Sequence, residues 1–360
     1  MEVRTIIHSD KRSSRRRRLV AVDLFAGCGA LSLGLTRAGF RVAAAVEINP
    51  KRAKTYAMNH PRTHVFECDV RTLGGDDILA AAHTERGCLD LVAGCPPCQG
   101  FSRIRRRNAR AATRDKRNDL VYEFGRLVRQ MRPRAIMLEN VPGLERDVRF
   151  RLLLASLRGA GYKIDWAIVD LQRFGVPQRR RRLVMVGWRG GVRPRILELL
   201  PTRRRTVREA IERLPRIPAA VRGMQFYRVH RSALVRARIE RVPSNGGSRK
   251  GLPPRLRLKC HQPDNGFKDV YGRLAWDAVA PTITGGCINP SKGRFLHPKQ
   301  NRALTLLEAA RLQGFPIWYK FDVSMGRYPV AEMIGEALPP PFAKTAARFV
   351  ANGLAQAAHR

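Results

Sequence analysis

The chain has 360 residues, 44% of them hydrophobic, and carries 69 Lys and Arg against 29 Asp and Glu, a formal charge of +40. That length suits one large domain with a smaller one, the hydrophobic share excludes wholesale disorder, and no run of about 18 apolar residues offers a membrane span. The charge favours a polyanion, nucleic acid first, although a GC-rich genome also enriches arginine over lysine, and an acidic membrane surface or a ribosomal setting would suit the same sign.

Residues 1–18 read as a basic arm with no secretory signal, because no apolar run precedes a small-residue cleavage site. LVAVDLF (19–25) is a short apolar strand ending in a glycine-rich turn, and ALSLGLTRA reads as the helix after it. FRVAAAVEIN (40–49) is a second strand and KRAKTYAMNH a second helix. CLDLVAGC (88–95) and RAIMLENV (134–141) are further strands, separated by the helical spacing of DLVYEFGRLVRQM. YKIDWAIVDL (162–171) and RLVMVGW (182–188) add two more, joined by the FGVPQRRR loop. Alternating buried strands and amphipathic helices predict a doubly wound, mostly parallel α/β sheet over residues 19–188. Residues 189–270 change character, rich in Arg, Pro and Gly with weak periodicity, as a separate irregular module would be. Helical patterning returns at ALTLLEAARLQGF and FAKTAARFVANGLAQA, so the chain is expected to rejoin its first domain over 301–360. Seven scattered cysteines, an odd number, make no disulfide framework and fit a reducing cytosol.

DLFAGCGALSLGL (23–35) sets Gly27 and Gly29 between a strand and a helix, where glycine lets backbone approach a ligand and the helix N-terminus receives polar groups. Glu47 ends the next strand, where a doubly wound fold holds an acid for ribose hydroxyls. The spacing is not the GxGxxG of dinucleotide binders, so a nucleoside ligand without a pyrophosphate, such as S-adenosylmethionine, fits at least as well. Asp69 in FECDV stands after the following strand position, within reach of an adenine amino group.

GCPPCQGFSR (94–103) is the second chemical segment. A metal knuckle needs a second ligand pair, and no second CxxC is present. A redox pair usually opens a helix, whereas two prolines and a following glycine indicate an irregular loop. The loop lies at the carboxyl end of a strand, where open α/β sheets bind ligands, and a cysteine there can serve as a nucleophile.

With these segments in hand, the chain resembles the C5-cytosine DNA methyltransferases over roughly residues 20–350, of the bacterial or phage restriction-modification type. DLFAGCGALSLGL resembles the family's cofactor loop, and GCPPCQGFS its catalytic loop, whose second cysteine is Cys98 here. DKRNDL (115–120) resembles the element closing that loop, and LENV (138–141) the motif carrying the catalytic acid, Glu139. Gln178, Arg180 and Arg182 satisfy the QxRxR pattern, and RALTLLEAARLQGFP (302–316) and MIGEALPPP (333–341) resemble two late motifs. The resemblance implies a Rossmann-like methyltransferase fold, with residues 189–300 as target-recognition region. It implies S-adenosylmethionine held by Phe25, Gly27, Gly29, Leu31, Glu47, Ile48, Asp69, Val70, Pro97, Leu120, Glu336 and Leu338, and no metal. Gln99, Ser102, Arg103, Arg105 and Gln178 are expected at the DNA. Double-stranded DNA is the implied partner, a restriction endonuclease acting separately is an optional one, and a monomer in the bacterial or phage-infected cytoplasm, at the nucleoid, is expected.

These residues suit that chemistry. Cytosine C5 is a poor nucleophile until something adds at C6, and a thiolate both adds and leaves again. Glu139 would hydrogen-bond N3 to ease the attack. Arg180 and Arg182 would hold O2 and a nearby phosphate. The target must be flipped out of the duplex, and RIRRRNARAATRDKR (103–117) is placed to close over it. Arginines of the 189–300 region, with Asn245, Gln262 and Asn265, are candidate base readers, whereas YGRLAWDAVAPTIT (271–284) reads as framework. Two positions depart from the family: Glu336 where Asn is common, and Ala30 where Gly is usual. The alternatives are a tRNA cytosine-C5 methyltransferase on the same scaffold, which should carry its own short cysteine motif, and an inactive DNA-binding homologue, which intact Cys98, Glu139, Arg180 and Arg182 oppose. An NAD-type oxidoreductase fails on glycine spacing.

Overall fold

The computed structural model of the chain describes residues 17–97, 116–225, 229–258 and 269–358. Strand β1 (Val20–Leu24) is buried along its whole length, as a strand is when helices cover both faces of its sheet. After it come α1 (Ala30–Arg37), β2 (Arg41–Val46), α2 (Pro50–Asn59), the short β3 (His64–Phe66), α3 (Gly75–Ala82) and β4 (Leu91–Gly94). The Asn49 side chain accepts from the backbone N–H groups of Lys51 and Arg52, and Pro50 opens the helix, which is why α2 begins there. Then follow α4 (Leu120–Met131), β5 (Ala135–Asn140), α5 (Val148–Gly159), β6 (Tyr162–Asp170) and β7 (Arg181–Arg189). The remainder holds α6 (Val207–Ile211), α7 (Arg222–Gln225), α8 (Ala233–Arg241), α9 (Leu306–Gln313), α10 (Arg327–Glu336) and α11 (Pro340–Ala358).

The seven strands lie in the order β3-β2-β1-β4-β5-β7-β6. Strands β1 to β5 pair in parallel, and β7 runs antiparallel to both β5 and β6. The chain winds outward from β1 to β3 and then returns to β4, so the order reverses between β1 and β4. A crevice forms outside the carboxyl ends of strands at such a reversal. Leu24 and Gly94 face each other there, and a Cβ on Gly94 would stand 2.8 Å from the Leu24 carbonyl oxygen. Glycine is what lets the two strands close at the switch point.

One face of the sheet is covered by α3, α4 and α5 through Ile78, Phe124, Leu127 and Leu153. Helix α4 turns Val121, Phe124, Val128 and Met131 to that core at helical spacing, each worth about 1.5–3 kcal/mol on leaving water. The other face is covered by α1 and α11 through Leu31, Leu35, Phe342 and Ala346. These helices approach until a Cβ on Gly34 would lie 2.3 Å from that of Ala343. A second core joins Cys28, Ala30 and Leu33 to Val207, Ile283, Leu306 and Ile334, so residues 207–334 pack onto the first turn of α1. Helix α9 in that core starts at a Thr305/Glu308 capping box. A smaller cluster around Ile239, Leu252, Tyr271 and Leu296 stands apart. Among the described residues no helix is long and apolar enough to cross a membrane.

Candidate active site

A cavity of about 630 Å³ opens at the switch point, within the range of small-molecule sites. Its first wall is the turn after β1. Phe25 and Gly27 take left-handed backbone, φ 61° and 56°, and both line the cavity with Leu31. The backbone N–H of Gly27 donates to Glu47 Oε2 at 2.8 Å and that of Asn49 to Oε1 at 2.8 Å. Glu47 therefore ties the glycine turn to the end of β2 and keeps lone pairs towards the cavity. Burial raises its pKa, and those two N–H groups with Arg52 oppose the rise. Ile48 is 62% exposed on the cavity wall, an apolar side chain that local packing leaves uncovered. Asp69 and Val70 follow β3 and line the same side, with Asp69 Oδ1 accepting from Arg71 N at 3.0 Å. Pro97, Leu120, Glu336 and Leu338 complete the set expected at the cofactor.

Gly29 departs from that expectation. It is absent from the cavity wall, and a Cβ there would meet the His60 ring at 2.6 Å and the Tyr319 hydroxyl at 2.8 Å. Its glycine character serves left-handed backbone, φ 88°, and the close approach of α2's last turn. His60 Nε2 lies 3.0 Å from the Gly29 carbonyl oxygen and 3.2 Å from the Tyr319 hydroxyl, which donates to Cys28 O at 2.6 Å. Burial pushes His60 down to about 4, so the ring is neutral and structural.

The second wall comes from the ends of β4 and β5. Cys95, Pro96 and Pro97 line it, and Asn140 Nδ2 donates to the Pro96 carbonyl at 2.9 Å, pinning the loop. Asn140 escaped the sequence reading, although it is the middle residue of the ENV motif. Glu139 is buried, and Arg182 of β7 places Nε 2.8 Å from its Oε1, without an aligned hydrogen bond to that oxygen. Burial, then Glu139 and Asp23, raise the pKa of Cys95 well above the usual thiol range, so this cysteine stays a thiol. Cys98, Gln99, Ser102, Arg103 and Arg105 lie outside the described residues, as do Gln262 and Asn265.

Two expected ligand contacts are framework instead. Gln178 is fully buried; its Oε1 accepts from Ile283 N at 2.9 Å, and its Nε2 donates to the Leu312 carbonyl at 3.0 Å and to Gln313. No face of it reaches the surface. Arg180 borders the cavity but donates to the carbonyls of Ile283, Gly335 and Ala337 at 3.0, 3.1 and 3.2 Å. It clasps the start of β7 to the chain around α10, and those N–H groups are unavailable to O2 or a phosphate. Asn245 likewise uses its side-chain oxygen on Trp276 N at 2.8 Å. Arg273 is buried and donates to five backbone and side-chain oxygens, among them Ile239 O at 2.9 Å and His297 O at 3.0 Å, so it too is framework.

Two further features had no signal in the sequence. Asp23 is fully buried in β1, accepts from Ser32 Oγ at 2.6 Å, leaves Oδ1 without a partner, and is pushed up by burial to about 7. At the mouth, Arg52 of α2 reaches Glu336 of α10 at 2.7 Å.

Glu139 paired with Arg182, the Cys95–Pro97 segment and the strand-end acid Glu47 thus line one crevice. The model of the C-5 cytosine-specific DNA methylases matches residues 19–351. The chain belongs to that family. Among curated members, it is 33% identical to the type II methylase M.HgiDII of Herpetosiphon aurantiacus, over 91% of this chain and 94% of that one. It is also 33% identical to the type II methyltransferase M1.HphI of Haemophilus parahaemolyticus, over 92% and 86%. A solved structure of a candidate DNA modification methyltransferase encoded within an E. coli prophage superposes with a TM-score of 0.73 at 26% identity, covering 94% of this chain and 99% of that one. The Dnmt2 methyltransferase of S. pombe shares the methylase fold at a TM-score of 0.63 and 18% identity, over 94% and 99%. The fold is that of the S-adenosylmethionine-dependent C5 methylases.

Proposed function

We propose that this DNA methylase transfers a methyl group from S-adenosylmethionine to C5 of cytosine within one double-stranded DNA sequence, using Cys98 as nucleophile on a base turned out of the helix. The observation that carries the reading is the Glu139–Arg182 pair, which faces the same cavity as Phe25, Gly27, Leu31, Glu47, Ile48, Asp69, Val70, Leu120, Glu336 and Leu338. The donor set suits the cofactor: carboxylates of Glu47 and Asp69 for ribose hydroxyls and an adenine amino group, and the bare Ile48 side chain for a ring face. When bound, the sulfonium supplies an electrophilic methyl group.

Each residue then has a task. Cys98, following Pro97 directly in sequence, adds as thiolate to C6, while Cys95, held as thiol, does not compete. Glu139 gives a proton to N3 as the thiolate adds to C6 and recovers it when the thiolate leaves. Arg182 orients Glu139 and limits charge build-up at the base edge. After methylation a base takes the C5 proton, its electron pair re-forms the C5–C6 double bond, and Cys98 leaves C6 as thiolate. The basic segment 103–117, with Gln99, Ser102, Arg103 and Arg105, grips the flipped nucleotide and its phosphates.

Residues 189–300 act as the target-recognition region, residues 19–188 and 301–360 as the catalytic domain, and 1–18 as a basic arm. The likeness to type II methylases supports a bacterial or phage enzyme of the restriction-modification type; a cytoplasmic, nucleoid-associated monomer acting apart from any restriction endonuclease completes the reading. With a formal charge of +40, the logarithm of DNA affinity should fall steeply and linearly with that of salt.

The deciding experiment is base-resolution methylation sequencing of DNA from a methylation-free bacterial host expressing the chain, beside a Cys98→Ser control. C5 methylation confined to one short motif, and absent from the control, is the expected result. Unmethylated DNA with methyl label appearing in RNA would transfer the assignment to an RNA substrate.

A further inference from the structure

The cavity mouth carries an ion pair that neither folding energetics nor the methylation chemistry accounts for. Arg52 stands on the first turn of α2, and its Nη2 lies 2.7 Å from Glu336 Oε2 and 3.8 Å from Glu332 Oε1, both on α10. All three residues line the cavity. The pair is 26% and 44% exposed, and ion pairs so placed add little to stability. Among the described residues, Arg52 Nε and Nη1 form no hydrogen bond, which leaves N–H groups of the guanidinium free. Glu336 is also the position where this chain carries a carboxylate in place of the family's common, uncharged asparagine.

Elsewhere in the cavity Arg182 faces Glu139, Arg71 faces Asp69, and the fully buried Arg180 gives Nη1 and Nη2 to carbonyls while its Nε has no partner. Arg52 is a partly exposed cation at the mouth, with Nε and Nη1 unbonded among the described residues, and it stands next to a carboxylate able to take a cationic group. An α-amino acid head carries an ammonium and a carboxylate on one carbon, charges complementary to the adjacent Glu336 and Arg52. The fork geometry of arginine favours a carboxylate in particular.

We infer that Arg52 and Glu336 form a zwitterion clasp, in which Arg52 binds the carboxylate and Glu336 the ammonium of the cofactor's amino-acid end. The inference rests on the S-adenosylmethionine reading of the cavity. It makes Arg52 a cofactor-positioning residue, with Glu332 holding the guanidinium in place when Glu336 turns to the ligand.

Calorimetric titration of the full chain with S-adenosylmethionine and with its decarboxylated analogue, in the absence of DNA, tests it. The wild type should bind the analogue about tenfold to hundredfold more weakly, the scale of a lost charge-assisted hydrogen-bond pair. Arg52→Met should bind S-adenosylmethionine as weakly as the wild type binds the analogue, with affinity for the analogue unchanged. Arg52→Lys, which keeps the charge without the fork, should fall between them. Glu336→Gln should weaken both ligands, since both keep the ammonium, and preserve the preference for the carboxylate. Thermal melting of each variant reports whether it is folded. Equal weakening of both ligands by Arg52→Met, or a preference that persists in it, overturns the clasp. A wild type that binds both ligands equally well does the same and leaves the cofactor reading intact. A wild type that binds neither removes the cofactor reading and the clasp with it.

Discussion

Glu139 and Arg182 meet at 2.8 Å although they are 43 positions apart in sequence, because β5 and β7 pair antiparallel with Glu139 opposite Val184. The pairing sets the arginine one short reach from the acid at the cavity. Neither group is well solvated, so each depends on the other for its charge balance.

Replacing one partner should then have two distinguishable effects. Glu139→Gln is expected to slow methyl transfer by about 10²–10⁴-fold, the usual share of a positioned acid, while cofactor binding persists. Arg182→Met, which strands a buried carboxylate, should also destabilise the fold by roughly 3–5 kcal/mol. Single-turnover methyl transfer and urea unfolding of the same preparations separate the two.

Arg180 and Gln178 should behave as structural residues. Arg180→Met strands three carbonyls around Ile283, Gly335 and Ala337, at about 1–3 kcal/mol for each buried group left unpaired. A fall in the urea midpoint with an unchanged salt slope of DNA binding is the expected outcome. Had Arg180 gripped a phosphate, the slope would drop by about one with stability retained.

The buried acid of β1 makes stability depend on pH in an unusual direction. Asp23 is raised from 3.8 to about 7 in the folded chain, so the native state holds a proton that the unfolded state has released. Its contribution is complete below about 4 and is lost as pH rises through 7. His60, lowered from 6.5 to about 4, acts oppositely: its contribution is present above 6.5 and lost as pH falls through 4. Urea midpoints between pH 4.5 and 7.5 should therefore climb more steeply with pH in Asp23→Asn than in the wild type, and less steeply in His60→Gln.

Helix packing at Gly34 supplies a steric test. A methyl group there overlaps Ala343, whereas one on Gly27 meets nothing within 4 Å. Gly34→Ala should cost about 1–3 kcal/mol through overpacking of α1 on α11. Gly27→Ala should cost about 1 kcal/mol through its left-handed backbone alone, and it should weaken cofactor binding because the turn lines the cavity. Chemical denaturation and ligand titration of both variants check the contrast.

Much of the first half of the chain is legible from local pattern. The runs VAVDL, RVAAAV and AIMLEN read as strands because predominantly apolar stretches of that length bury both faces, and the glycines after VAVDL and the acid after RVAAAV mark a ligand crevice without reference to distant residues. The motifs that carry Glu139 and Arg182 are likewise local in sequence, whereas the pairing of their side chains is not. The short strand His64–Phe66 carries too few residues for a periodicity.

What tertiary structure decided are the contacts between residues far apart in the chain. Periodicity does not say that β7 inserts between β5 and β6, that Gln178 is sealed against Leu312, or that Gly29 serves His60 and Tyr319 rather than the ligand. Arg52 and Glu336 are 284 positions apart and meet only because α10 packs beside the glycine turn after β1. A side chain's residue type limits the bonds it can make, but the packing of the whole fold determines which partner lies within about 3 Å to receive them.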